Sequence, residues 1–142
     1  MPRTTGYLLD TNVISETVRA RPDDNVMRWL DGLPPEQLFV SVLSLGEIRK
    51  GALLVQDTGR RSRLLEWLEN DLAQWFDNRV LPVDAQVAAL WAALLAEANN
   101  PLPAIDSLLA ATAKAANLTL VTRNVRDFER MQVNVLNPWV VA

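Results

Sequence analysis

The stretch Tyr7-Leu8-Leu9-Asp10-Thr11-Asn12 joins a short apolar run to a carboxylate, and a helical pattern follows directly. The same arrangement returns late in the chain, where Leu118-Thr119-Leu120-Val121 continues into Thr122-Arg123-Asn124-Val125-Arg126-Asp127. Short apolar runs bounded by polar residues are typical of buried strands. The two stretches therefore predict two core strands, each with polar side chains at its carboxyl end.

Between these strands the chain alternates β-like runs with longer helical patterns. Further strands are predicted at residues 38–40, 80–83 and 133–136. Pro82 favours an edge or a strand end, and the last run is predicted at an edge. Helices are predicted at about residues 12–19, 24–31, 44–55, 60–75, 86–98 and 104–116, with a short one near 127–131. Strands separated by helices form βαβ units. We therefore predict a three-layer α/β/α fold around a short, mostly parallel sheet of about five strands.

Length and composition indicate one ordinary globular domain covering residues 1–142. The 142 residues are 49% hydrophobic and 22% charged, values that suit a single packed core. No apolar run approaches the roughly 20 residues that span a bilayer. The first residues, Met1-Pro2-Arg3-Thr4-Thr5-Gly6, lack the apolar segment of a signal peptide. We therefore expect a cytoplasmic protein with no membrane association.

Four carboxylates fall where a strand ends or a helix begins: Asp10, Glu47, Asp106 and Asp127. Open α/β sheets bind ligands outside the carboxyl ends of their strands, so these acids are expected at one functional edge. The chain has no histidine and no cysteine, which removes the usual nucleophile pairs and the usual zinc ligands. Converging carboxylates would form an oxygen-only site suited to Mg²⁺ or Mn²⁺.

Each acid also fits an ordinary role at the start of a helix. Asp10 suits an N-cap, and Ser44-x-x-Glu47 matches the capping box, in which a glutamate bonds back to the cap residue. A cap or a favourable interaction with the helix dipole is equally open to Asp106, Asn124 and Asp127. The metal interpretation rests on all the acids sharing one edge of the sheet.

Positive charge is local in this chain, whose net charge is −3. Arg49-Lys50 follow Glu47, three arginines cluster at residues 60–63, and three more surround Asp127 at residues 123–130. Such groups are ordinarily solvated helix faces. Their closeness to the acidic segments also fits a phosphate-binding rim.

Four segments resemble the signatures of PIN-domain proteins, in order and spacing, over nearly the whole chain. They are Leu8-Leu9-Asp10-Thr11-Asn12-Val13-Ile14-Ser15-Glu16, residues 41–51 with Glu47-Ile48-Arg49-Lys50-Gly51, Asp106-Ser107-Leu108-Leu109-Ala110-Ala111-Thr112-Ala113, and Val121-Thr122-Arg123-Asn124-Val125-Arg126-Asp127-Phe128. The ending Leu136-Asn137-Pro138-Trp139 further resembles the FitB-like branch of the VapC toxins.

The resemblance implies an endoribonuclease that uses Mg²⁺ or Mn²⁺ and acts as the toxin of a toxin–antitoxin pair. By motif position Asp10, Glu47 and Asp106 resemble the first three acids of the family. We expect Asp10 and Asp106 to be direct metal ligands, with Glu47 holding a metal-bound water or a second ion. The fourth acidic position of some relatives matches Asn124, and Asp127 lies one turn further on, so either side chain can fill that role. RNA is the implied substrate, and a small DNA-binding antitoxin is the implied partner.

The resemblance also implies a homodimer, which forms a heterotetramer or a larger assembly with the antitoxin. The sequence agrees, because five tryptophans and two apolar helices at residues 60–75 and 86–98 exceed what a short sheet covers. The antitoxin is then expected to place a basic or polar side chain near Asp10 and Asp106.

Two alternatives stay open at this point. One is a catalytically silent PIN-fold protein that acts only by binding its DNA-binding partner in autoregulation. The other is a phosphotransfer domain of the haloacid-dehalogenase or receiver kind, which also places an aspartate at a strand end. Asp10-Thr11-Asn12 lacks the Asp-x-Asp or paired acids of those domains. The RNA target, its cleavage sequence and the number of metal ions have no signature in this chain.

Overall fold

A computed structural model describes residues 6–140, so the expectation about a signal peptide lies largely outside the described residues. The sheet is fully parallel and has the strand order β3-β2-β1-β4-β5. Its strands are β1 (Tyr7–Leu9), β2 (Leu38–Ser41), β3 (Val80–Leu81), β4 (Thr119–Val121) and β5 (Val135–Leu136). This confirms the predicted α/β sheet of five strands, with β3 and β5 at its edges.

Helices connect the strands and cover both faces of the sheet. They are α1 (Thr11–Glu16), α2 (Asp24–Asp31), α3 (Val42–Leu53), α4 (Thr58–Glu66), α5 (Ala73–Phe76), α6 (Ala85–Glu97), α7 (Ala104–Ala115) and α8 (Val125–Phe128). A 3₁₀ turn (Pro35–Gln37) leads into β2. None of the helices within residues 6–140 combines the length and apolarity needed to cross a bilayer.

The core lies in two layers because neighbouring residues of a strand point to opposite faces. Leu9 and Val121 pack with side chains from α1 to α5, including Val13, Leu30 and Phe76. Leu8 and Leu120 point the other way, toward a cluster built from α6, α7 and α8, which includes Leu94, Leu109 and Phe128. Both β1 and β4 are therefore apolar on both faces, as central parallel strands require.

The predicted helix at residues 60–75 is interrupted by a wider turn. Its middle, Trp67–Leu72, is π-helical and separates α4 from α5. Leu68 and Leu72 are both buried in the core at this point. Leu68 and Leu72 are four positions apart, a spacing that is also typical of an ordinary α-helix. The sequence therefore predicted a regular helix here.

A candidate carboxylate site at the carboxyl edge of the sheet

Asp10 and Thr122 lie side by side where the strand order reverses. They follow β1 and β4, which pair through Leu9 and Val121, and the Asp10 backbone N–H donates to the Val121 carbonyl oxygen over 2.9 Å. Strands on either side of this point connect in opposite directions, so their crossover helices leave a crevice above it. This is the position predicted for a functional site.

Both carboxylate oxygens of Asp10 are held by hydrogen bonds. Oδ1 accepts from the Thr11 backbone N–H over 2.7 Å, and Oδ2 accepts from the Thr122 hydroxyl over 2.8 Å. Asp10 is the N-cap of α1, as the structural interpretation predicted, and its exposed fraction is 8%. Capping and site formation are thus compatible, because the cap fixes the orientation of the carboxylate.

The Thr122 hydroxyl is the hub of this network and was not among the predicted site residues. It donates to Asp10 and accepts from the Asn12 side-chain amide at 3.3 Å and the Asn124 backbone N–H at 3.1 Å. Thr122 is fully buried. The sequence signal was present, since Thr122 follows β4 directly just as Asp10 follows β1. Thr122 was not predicted because its hydroxyl carries no charge.

Glu47 is not part of a capping box, so that interpretation is wrong. Helix α3 begins two residues earlier than predicted and is capped by Ser41, whose hydroxyl accepts from the Leu43 backbone N–H over 3.0 Å. Within the described residues, the buried Ser44 hydroxyl oxygen has no hydrogen-bond partner. The exposed Glu47 instead accepts from the Thr11 hydroxyl over 2.8 Å. Thr11 therefore joins Glu47 to the helix that Asp10 caps.

Asp106 lies half-buried in the first turn of α7, and no side chain caps that helix. Burial is the main reason why the pKa of the Asp106 carboxyl lies above its ordinary value. The charges of Asp10, Asp127 and Glu47 raise the pKa of Asp106 further, in that order of effect. The other three predicted acids are thus all within electrostatic reach of Asp106.

The Asp10 carboxyl also has a raised pKa, again mainly through burial. The hydrogen bonds from Thr122 and Thr11 oppose this effect because they stabilise the charged form. The charges of Glu47 and Asp127 raise the pKa of Asp10 further. The ionised forms of Asp10 and Asp106 are therefore both destabilised, mainly by burial and then by the charges of the nearby acids.

The two candidates for the fourth position have different relations to this cluster. Asn124 occupies the N-cap position of α8, but its side chain makes no capping bond, and its contact with the network is through its backbone N–H. Asp127 lies exposed in the first turn of α8, which starts two residues earlier than predicted, and its charge acts on both Asp10 and Asp106. Of the two residues, Asp127 is therefore the one whose charge acts on Asp10 and Asp106.

Oxygen donors from four carboxylates are the ligand type that Mg²⁺ and Mn²⁺ take in proteins. Within residues 6–140, however, no three acidic side chains are close enough together to hold a metal ion as they stand. Mg²⁺ usually keeps several waters and takes one or two carboxylates. The donor chemistry therefore fits a divalent ion that one or two carboxylates and several waters would hold, and the candidates for those carboxylates are Asp10, Asp106 and Glu47.

A basic cleft begins beside Thr11 and Glu47. Its volume is about 830 Å³, and its lining combines Arg19, Arg21 and Arg60 with apolar side chains of α3, of α4 and of the segment that follows α1. Other arginines from the predicted rim have structural partners. Arg49 pairs with Glu69 over 3.1 Å, and Arg61 donates to the carbonyl oxygens of Val55 and Gln56.

Comparison with known proteins adds a family to this geometry. The family model described as PIN domain matches residues 7–134. Toxin FitB of Neisseria gonorrhoeae is 39% identical over 93% of this chain and 97% of its own length. VapC ribonuclease Y4jK of Sinorhizobium fredii is 35% identical over 95% of this chain and 99% of its own. The solved structure of FitAB bound to a DNA fragment contains a chain with a TM-score of 0.88 and 36% identity, covering 96% of this chain and 97% of that one.

Proposed function

The chain belongs to the PIN-domain family, in its FitB-like branch, and from this we propose that it is a metal-dependent endoribonuclease acting as the toxin of a toxin–antitoxin pair. The observation that carries the proposal is a group of four acids, Asp10, Glu47, Asp106 and Asp127. Burial raises the pKa values of Asp10 and Asp106, and the charges of the other acids raise them further. Repelling carboxylates of this kind are neutralised by a cation. Relatives named as a toxin and as a ribonuclease support the same function.

In this proposal Asp10 and Asp106 hold Mg²⁺ or Mn²⁺, and Glu47 holds a water or a second ion. When bound, a divalent ion lowers the pKa of water and offsets negative charge on the phosphate. The chain's own residues prepare the site. Thr11 and Thr122 fix Asp10, and the Thr11 hydroxyl orients Glu47. Asn124 and Asp127 would orient water or the metal ligands. No side-chain nucleophile is needed, in agreement with a chain free of histidine and cysteine.

Cleavage of a generic single-stranded RNA tests this assignment. Wild type is expected to cut the RNA in Mg²⁺ or Mn²⁺ and to stop when EDTA is added. Asp106→Asn is expected to lose cleavage together with the rise in melting temperature that metal gives to wild type, because binding to the native state stabilises it. Asp71→Asn, which removes an exposed aspartate from the π-helical segment, is the control and should behave as wild type.

A catalytically silent binding partner is the second candidate, and the DNA-bound FitAB structure of a similar protein favours testing it. On this alternative, RNA stays intact under every metal condition, while the chain still binds a small DNA-binding antitoxin. Metal-dependent RNA cleavage that disappears in Asp106→Asn would exclude it. Equal cleavage by wild type and Asp106→Asn would instead point to a contaminating nuclease and contradict the proposed site.

The proposed assembly is a homodimer that joins the antitoxin in a heterotetramer or a larger complex. Exposed apolar side chains support it, although they are not on the two helices that the sequence indicated. Three of them lie at the two ends of α3 and at the start of α7, where Val42, Leu54 and Ile105 are 40%, 71% and 42% exposed. These three line one cleft of about 540 Å³, and such patches usually mark an interface.

A further inference from the structure

Arg123 lies at the rim of the acidic site, and its backbone is held there by contacts that involve Thr122 and Asn12. The residue before it, Thr122, bonds to Asp10, and the Arg123 backbone N–H donates to the Asn12 side-chain oxygen over 3.3 Å. Its side chain is exposed to solvent. The start of this side chain is thus tied to the same network that orients Asp10.

The guanidinium of Arg123 lies over the indole ring of Trp139, with its central carbon 5.2 Å from the ring centroid. Trp139 itself is held in place. Its backbone N–H donates to the Asn137 side-chain oxygen, and its carbonyl oxygen accepts from the Asn25 side-chain amide, each over 2.9 Å. The indole is partly buried against the core. Trp139 is therefore a fixed platform on which the cation rests.

No carboxylate of the described residues lies within ion-pair distance of Arg123. The two ion pairs within residues 6–140 join Arg19 to Glu16 and Arg49 to Glu69. Stacking uses the flat face of a guanidinium and leaves the N–H groups at its edge free. Those donors form a planar fork that matches the oxygens of a phosphate.

A nucleic acid strand entering this site meets a cluster of acids that repels its phosphates. An oriented and unpaired cation at the rim offsets that repulsion. We infer that Arg123, held by Trp139, binds a backbone phosphate of single-stranded RNA next to the bond that is cut. This inference rests on the proposed function and assigns one contact of its substrate.

Equilibrium binding tests the inference without requiring catalysis. A fluorescently labelled single-stranded RNA is titrated with Asp106→Asn protein in EDTA, at several salt concentrations, and the dissociation constant is followed by anisotropy. Adding Arg123→Ala should weaken binding about tenfold, the effect of losing a hydrogen-bonded charge pair. The slope of log affinity against log salt should become shallower by about 0.7, the share of one phosphate contact on a single strand.

Three further variants separate the contributions of charge and stacking. Arg123→Lys keeps the charge and should keep the salt slope while binding more weakly, because it loses the planar fork. Trp139→Phe keeps a ring and should bind nearly as wild type, whereas Trp139→Leu should weaken binding at an unchanged salt slope. Arg28→Ala is the matched control, since it removes an exposed arginine from α2, outside the predicted phosphate-binding rim.

The inference is overturned if Arg123→Ala leaves affinity and salt slope unchanged, or changes them no more than Arg28→Ala does. A lower melting temperature with unaltered RNA binding would mean that the Arg123–Trp139 contact only fastens the end of the chain. Preferential, Arg123-dependent binding of duplex DNA would also overturn it. Failure of the proposed function would give a different result: RNA would bind through Arg123, but wild-type protein with metal would not cut it.

Discussion

Replacing Thr122 with valine tests whether this hydroxyl organises the site. Valine keeps the shape of threonine but removes the donor to Asp10 and the acceptor for Asn12 and the Asn124 N–H. A hydrogen bond to a charged group contributes about 1.5–3 kcal/mol, and the groups left behind are poorly solvated. We expect a loss of about 2–3 kcal/mol in the free energy of unfolding at neutral pH, or roughly 6–10 °C in melting temperature.

The pH dependence of this loss identifies the acceptor. The Thr122 hydrogen bond stabilises ionised Asp10 and so opposes the raised pKa of that carboxyl. Removing the bond raises the pKa of Asp10 further. A carboxyl whose pKa is raised in the folded state makes the protein less stable as pH rises through that pKa. The difference between wild type and Thr122→Val should therefore be largest at neutral pH and shrink toward about 1 kcal/mol when Asp10 is protonated.

Thr112→Val is a matched control for this measurement. Thr112 is also buried, but its hydroxyl donates to the neutral Leu108 carbonyl oxygen over 2.8 Å. Its replacement should cost about 1 kcal/mol at every pH. Urea unfolding in EDTA, over a pH series that falls from 7 toward the ordinary carboxyl pKa of 3.8, gives the loss for each variant. A loss for Thr122→Val of less than about 0.5 kcal/mol, or one independent of pH, would refute the role assigned to the hydroxyl.

Three further outcomes are expected. Asp10→Asn and Glu47→Gln should lower RNA cleavage by orders of magnitude at an unchanged far-UV spectrum, whereas Asp127→Asn should lower it about 10–100-fold; equal losses would move Asp127 among the ligands. The pKa of Asp106 lies above its ordinary value of 3.8, so in EDTA its ionised carboxylate should destabilise the folded protein at pH values above 3.8. Urea unfolding should therefore show Asp106→Asn at least as stable as wild type at pH 7, with the advantage shrinking as pH falls; a less stable variant at pH 7 would contradict the repulsion. Light scattering should give twice the chain mass of 15.9 kDa, and Leu54→Glu should give a monomer; a wild-type monomer at micromolar concentration would contradict the dimer.

The sheet and its functional edge were predictable because the information is local. An apolar pair such as Leu8-Leu9 needs both faces of a strand buried, and a polar residue directly after it must lie at the carboxyl end. The positions of Asp10 and Thr122 follow from that argument. The family resemblance, carried by four motifs in order, is confirmed by the match over residues 7–134.

Details that depend on three-dimensional partners were not predictable. Ser41 and Ser44 are both plausible caps for α3, and the choice depends on where β2 ends in the sheet. The π-helical turn depends on how Leu68 and Leu72 reach the core, which no local spacing encodes. The hydrogen bond from Thr11 to Glu47 spans 36 positions of the chain, so only the fold reveals it.

The parallel sheet also determines when the site can form. Asp10 and Thr122 are 112 positions apart, and β4 pairs with β1 only after all the helices from α1 to α7 have been made. Contacts between such distant parts of a chain are slow to form, because the loop must close before they stabilise anything. Synthesis proceeds from the amino end at about 5–20 residues per second. A growing chain therefore carries its first carboxylate for several seconds before the threonine that orients it exists, and a truncated product ending before β4 lacks an assembled site.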